Sequence, residues 1–170
     1  MIVRRENPAD ATQVYQIQSA AFGQPAEANL AVALRDGGHA IGALSLVAEI
    51  KGTVVGHVVC SRGRIEQEGS PPRPSVGLGP IGVDPDHQRA GVGSALMHTV
   101  IGAADALGEP LIALLGSTRY YPRFGFVPST DLGVIAPDPG WGGHFQVRAL
   151  ANHDSNIKGE FIYASPFDDL

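Results

Sequence analysis

Ile81-Gly82-Val83-Asp84-Pro85-Asp86-His87-Gln88-Arg89-Ala90-Gly91-Val92-Gly93-Ser94 is the stretch that decides the fold of this chain. It reads as a strand, a turn around Pro85, and a glycine-rich entry into an amphipathic helix. The helix shows in Val92, Ala95, Leu96, Val100, Ala103, Ala104 and Leu107, apolar residues at three- and four-residue spacing. Gly91 and Gly93 remove side chains that would shield backbone amides. The first turn of a helix has N–H groups without intrahelical acceptors and the positive end of the dipole, so it suits a phosphate. Asp84 and Asp86, just outside, cap or solvate the turn.

The phosphate ligand is narrowed by elimination. A Walker-type loop needs Lys and then Ser or Thr after its last glycine, and here Ser94 follows Gly93 with no Lys. A dinucleotide fingerprint starting at Gly91 needs a small residue where Leu96 stands. What remains, Gln88-Arg89-Ala90-Gly91-Val92-Gly93, resembles the pyrophosphate loop of the GCN5-related N-acetyltransferases (GNAT). The resemblance implies that Gln88, Arg89, Ala90, Gly91, Val92, Gly93 and Ser94 hold the pyrophosphate of coenzyme A. A glycine-rich helix start without a ligand is the alternative reading of these residues alone.

A second segment, Tyr120-Tyr121-Pro122-Arg123-Phe124-Gly125-Phe126, follows the apolar strand Leu111 to Leu115. It is similar to the family's aromatic-Tyr-x-x-x-Gly-Phe element, and Tyr121 falls on the position of its usual general acid. The alternative for Tyr121 is a core tyrosine with its hydroxyl at the surface. Leu78 to Val83 reads as a strand interrupted by Gly79, Pro80 and Gly82, and Pro80 has no N–H for a ladder. In the family the corresponding strand bulges, and backbone groups at the positions of Ile81, Gly82 and Val83 pair with the pantetheine arm like an added strand. Where family members often carry Asn or Asp after the next strand, this chain has Gly116-Ser117-Thr118, and Ser117 is the candidate for that contact. The resemblance implies an α/β (α+β) fold. Its mixed, mostly antiparallel sheet has about six or seven strands, splayed at the centre, with helices on both faces.

Length and composition fit one soluble domain, and the resemblance implies a single N-acetyltransferase domain over residues 1–170. A chain of this size buries about 70% of its unfolded surface without staples. One Cys excludes an internal disulfide framework and suits a reducing compartment, so the cytoplasm is expected. No apolar run is long enough to span a bilayer, and Met1 to Glu6 lacks the apolar core of a signal peptide. The formal net charge of −5 argues against nucleic-acid binding. Six His and one Cys, scattered, give no metal-ligand spacing.

Outside the motifs, Ile2 to Arg5 is expected as a strand and Asn7 to Phe22 as a helix ended by Gly23. A second helix covers Ala26 to Leu34. Leu44 to Ile50 and Val54 to Cys60 read as strands around a Lys51-Gly52 turn. Residues 64–75, with Pro71, Pro72 and Pro74, read as a mobile connection, while Phe145 to Leu150 and Glu160 to Ala164 read as closing strands.

The resemblance implies direct transfer of an acetyl group from acetyl-CoA to a primary amine of a small molecule or peptide. The amide of Val83 would serve the tetrahedral oxygen and Tyr121 would protonate the thiolate. Glu27, Glu49 and His57 are weighed as bases, and none is assigned. Trp141 and His144 either line an acceptor pocket or anchor a loop. Cys60 reads as a small buried residue rather than an acyl carrier. A non-catalytic acyl-CoA-binding or regulatory module is the reading from another class; it would need no proton donor. Dimers are common in the family, and no interface is legible in one chain.

Overall fold

Val54 to Cys60, mostly β-branched or small, forms only the first half of its strand, which runs from Thr53 to Glu66. The expected connection over 64–75 is therefore half strand and shrinks to residues 67–72, because that strand continues to Glu66 and its successor starts at Arg73. Polar Arg62, Arg64 and Glu66 hid this extension. They stand on the exposed side of a strand whose other face holds buried Ile65. Alternation survives there, but the apolar run does not.

The computed structural model describes residues 1–169 and contains two compact units. The first comprises residues 1–61, 78–103 and 165–169; the second comprises 62–77 and 104–164. In the first unit β1 (Ile2–Arg5), β2 (Ala40–Ile50) and the first part of β3 (Thr53–Glu66) form an antiparallel ladder. Ile2 pairs with Glu49 and Val47 with His57. Helices α1 (Ala11–Phe22) and α2 (Ala26–Asp36) join this unit. Val14 and Ile17 of α1 pack on Val47 and Val54 of the sheet. Gly23 ends α1 in the left-handed conformation, as the sequence predicts.

One polar knot is buried in this unit. Glu6 accepts from Ser45 Oγ at 2.6 Å, from Arg35 Nη1 at 2.9 Å and from His57 Nε2 at 3.2 Å. His57 is 1% exposed, and its Nδ1 lies 2.8 Å from Gln18 Nε2. Gln18 Nε2 also donates to the carbonyl of Pro80 at 3.3 Å, which ties α1 to the strand β4 (Arg73–Val83). Two backbone carbonyls face this nitrogen and only accept, so the amide gives hydrogens and Nδ1 takes one. Burial alone would raise the Glu6 pKa; the bonds from His57 and Ser45 outweigh it and hold the carboxyl at about 2.

In the second unit the start of β4 pairs in parallel with β5 (Leu111–Leu115), Val76 against Ile112 and Gly77 against Ala113. β5 pairs antiparallel with β8 (Phe145–Ala149), and β8 with the short β6 (Val127–Pro128). The end of β3 pairs with β9 (Gly159–Ile162), and β9 with the short β7 (Val134–Ile135). β6 and β7 hold two residues each, and the seven longer strands are the size expected. The architecture is a mixed, mostly antiparallel sheet with helices. Ile65, Leu111, Ala113, Phe145, Val147 and Phe161 form the core of this unit, with Trp141 and Tyr163 packed against it. Among the described residues no helix is long and apolar enough to cross a membrane.

Candidate active site

The glycine-rich loop belongs to the first unit, and its geometry follows from a short set of local bonds. After Val83 the chain turns through Asp84, whose side chain accepts from the Asp86 amide at 2.9 Å. A single 3-10 turn, Pro85–His87, leads to Gln88 in extended backbone. Gln88 Nε2 donates to the Val83 carbonyl at 3.2 Å, so this side chain folds back on β4 and braces its end. Arg89 then takes φ +60° and Gly91 φ +87°. The first helical bond of α3 (Val92–Ala106) runs from Ala95 N–H to Gly91 O at 3.0 Å. The amides of Val92, Gly93 and Ser94 precede it and have no acceptor within the helix. They form a donor cluster at a dipole's positive end, entered by a backbone that turns left-handed twice.

A non-glycine residue in the left-handed region is uncommon and costs on the order of 1 kcal/mol. Arg89 holds it on an exposed loop. At Gly91 there is open space around the missing Cβ, so the conformation alone requires glycine. Gly91→Val is therefore expected to cost about 1–2 kcal/mol of stability and to turn the cradle amides away. The check is acetyl-CoA affinity by calorimetry, which falls at least tenfold while the melting curve stays cooperative.

Tyr121 belongs to the second unit. It opens a 3-10 turn, Tyr121–Phe124, that Gly125 closes in the left-handed conformation. Pro122 suits the first turn because its missing N–H would lack an acceptor there. Ser117 starts the approach: its carbonyl accepts from Tyr120 N–H at 3.1 Å and its Oγ from Arg119 N–H at 3.2 Å. Its hydroxyl hydrogen is left to give. The Tyr121 ring meets Tyr120 edge-on at 5.1 Å and Phe126 at 5.9 Å. Arg123 lies over the Tyr120 ring at 4.8 Å rather than beside Tyr121. Burial, and then the neighbouring Tyr120, pushes the Tyr121 phenol up to about 12, so it keeps its proton at neutral pH.

Gly116 makes this placement possible, because a Cβ there would overlap Tyr121 Cε2. Its carbonyl accepts from His144 Nδ1 at 3.1 Å and from Gln146 Nε2 at 3.2 Å, and its amide donates to His144 O at 2.9 Å. Trp141 packs against Phe145 at 5.8 Å and Tyr163 at 6.5 Å, which anchors the loop before β8.

The weighed bases fare differently. His57 has both ring nitrogens committed and is buried, so no acceptor amine reaches it. Glu49 is bonded to Arg4 at 3.0 Å, and Glu27 to Gln24 at 3.1 Å. Cys60 is fully buried. Among the described residues no group of three His, Cys, Asp or Glu is placed to hold a metal ion.

Known proteins resemble this chain in sequence and fold. A sequence profile described as "Acetyltransferase (GNAT) domain" matches residues 3–128. The chain is 36% identical over 132 residues to the uncharacterized N-acetyltransferase YjhQ of Escherichia coli K12, covering 77% of this chain and 72% of that protein. It is 30% identical over 170 residues to the uncharacterized N-acetyltransferase YhbS of the same organism, covering 99% of each. The crystal structure of Escherichia coli YhbS in complex with CoA superimposes with a TM-score of 0.89 at 28% identity, over 98% of this chain and 91% of that one. A GNAT family acetyltransferase from Brucella melitensis in complex with acetyl-CoA gives 0.77 at 30% identity, over 98% and 97%.

Proposed function

Since the chain belongs to the GNAT acetyltransferase family, we propose that it moves an acetyl group from acetyl-CoA directly to a primary amine of a small molecule or peptide. The observation that carries this reading is the donor cluster at Val92, Gly93 and Ser94, entered through left-handed Arg89 and Gly91. Gln88, Arg89, Ala90 and Gly91 complete the loop that would take the pyrophosphate. Solved relatives bind CoA or acetyl-CoA, which supports the same ligand here. Backbone groups of Ile81, Gly82 and Val83 would take the pantetheine arm, with Ser117 as a side-chain donor to it. The Val83 amide would serve the oxygen that gains charge when the amine adds.

Tyr121 would give the departing thiolate a proton. Its raised pKa does not disqualify it, because dry surroundings penalise a thiolate in the same way as a phenolate. A non-catalytic acyl-CoA module would need no proton donor. The reading takes residues 1–170 as one functional domain working in the cytoplasm.

Calorimetric titration with acetyl-CoA, with ATP and NAD as controls, tests it. Micromolar acetyl-CoA binding without response to the controls is the expected result. No acetyl-CoA binding would make the loop a structural helix start and remove the enzyme reading.

A further inference from the structure

An amine acceptor must lose a proton before it attacks; of the groups weighed above, His57 is buried with both ring nitrogens bonded, Glu49 is paired with Arg4, and Glu27 holds a surface bond to Gln24. His144 differs. It directly precedes β8, and its ring is exposed. Leu115 pairs with Phe145, and the bond from Gly116 N–H to His144 O continues that antiparallel ladder by one step. Residues directly opposite in such a ladder project to one face of the sheet. Gly116 has no side chain, and the Tyr121 ring occupies the space its Cβ would take. His144 and Tyr121 therefore stand on the same face, on either side of Gly116.

The tautomer of His144 is set by the same glycine. Gly116 O can only accept, so Nδ1 must carry the hydrogen that reaches it at 3.1 Å. In the neutral ring Nε2 is then a bare acceptor. Among the described residues it has no hydrogen-bond partner, and His144 is an exposed residue. A fixed tautomer with the free lone pair outward is the arrangement a general base requires.

We infer that His144 is the base that deprotonates the acceptor ammonium, an inference that rests on the acetyltransferase reading. Nε2 takes one proton from R–NH3+ and later releases it to solvent. The amine lone pair forms the C–N bond to the acetyl carbonyl carbon, and the C–S bond breaks. The thiolate takes the Tyr121 proton, and the second proton leaving nitrogen restores the phenol. The sum is amide, CoA thiol and one proton. Charged or titratable groups on the surrounding elements are Arg119, Tyr120, Tyr121 and Arg123 at the turn, Asp138 in the preceding loop, Tyr163 packed on Trp141, and Arg148 further along β8. Asp138 is occupied by the Gly140 amide at 2.7 Å, and Arg148 by the Phe124 carbonyl.

Two measurements test the role. Long-range proton–nitrogen NMR of the labelled protein, assigned with His144→Asn, should show Nδ1 protonated and Nε2 bare; the opposite tautomer overturns the inference. Rates of thiol release are then measured across pH with a panel of amino acids, polyamines, aminoglycosides and short peptides. Asn can keep the bond to Gly116 O but cannot titrate. His144→Asn and His144→Ala should both lose about 10²-fold in kcat/KM, keep acetyl-CoA affinity, and show rates that climb with the free-amine fraction of the acceptor. Added imidazole should restore part of the His144→Ala rate. A His144→Asn enzyme as fast as wild type leaves His144 a tie for β5 and ends its role as base, while the acetyltransferase reading stands. A wild type that binds acetyl-CoA but acetylates none of the panel overturns both.

Discussion

Tyr121→Phe is expected to lower kcat for acetyl transfer by about 10²- to 10³-fold and to leave acetyl-CoA affinity unchanged. The substitution deletes one hydroxyl. The edge-on contacts of the ring with Tyr120 and Phe126 are made by carbon and survive, as does its fit over Gly116. Loss of rate therefore reports a lost proton rather than a disturbed fold. Because the phenol is pushed up to about 12, its ionisation cannot produce a basic limb in the rate profile near neutrality. Steady-state kinetics on both proteins, with calorimetry on acetyl-CoA, checks this. Equal kcat values would remove Tyr121 from the mechanism and revive the non-catalytic module.

The second large effect is on stability. Glu6→Ala should cost about 2–4 kcal/mol, because it leaves buried His57 without an acceptor for Nε2–H and leaves Arg35 with Asp36 alone. For a chain of this length that is a fall of roughly 10 °C in Tm. The pH dependence has a definite sign. Folded Glu6 holds its proton less tightly than an unfolded glutamate, at about 2 against 4.5. Its stabilisation is therefore complete above pH 4.5 and is lost as pH falls toward 2. Thermal melts between those limits should show wild type losing on the order of 3 kcal/mol that Glu6→Gln, which cannot ionise, does not lose. Parallel acid curves for the two proteins would show that Glu6 carries no such linkage.

The elements that the sequence revealed are those with local causes. The α3 entry was legible because glycine spacing and a helical apolar stripe mark a helix start, and Tyr120 to Phe126 because proline and glycine punctuate a short turn. Ile2 to Arg5 came out residue for residue as β1. The ends of β3 and β4 did not, since Arg62, Arg64 and Arg73 sit on strand faces that need no apolar residues. Glu6, Ser45 and His57 meet across separations no periodicity encodes, so the sequence shows neither the knot nor that both ring nitrogens of His57 are bonded. Gly116 and His144 show the same limit: their pairing depends on the register of β5 and β8. A lone histidine after a glycine-rich loop carries no mark of which nitrogen is bare. The one available signal was its place directly before an apolar strand.

Trp141 gives the molecule an optical label that needs no engineering. It is the only tryptophan in the chain, and it rests on Phe145 and Tyr163 one turn of loop ahead of His144. Selectively excited emission therefore comes from the second unit alone. A wavelength shift on adding an amine would register the loop before β8 in solution, separately from any signal of acetyl-CoA at α3. The same emission, followed through a melt beside backbone dichroism, would show whether residues 62–77 and 104–164 come apart together with the rest of the chain or ahead of it.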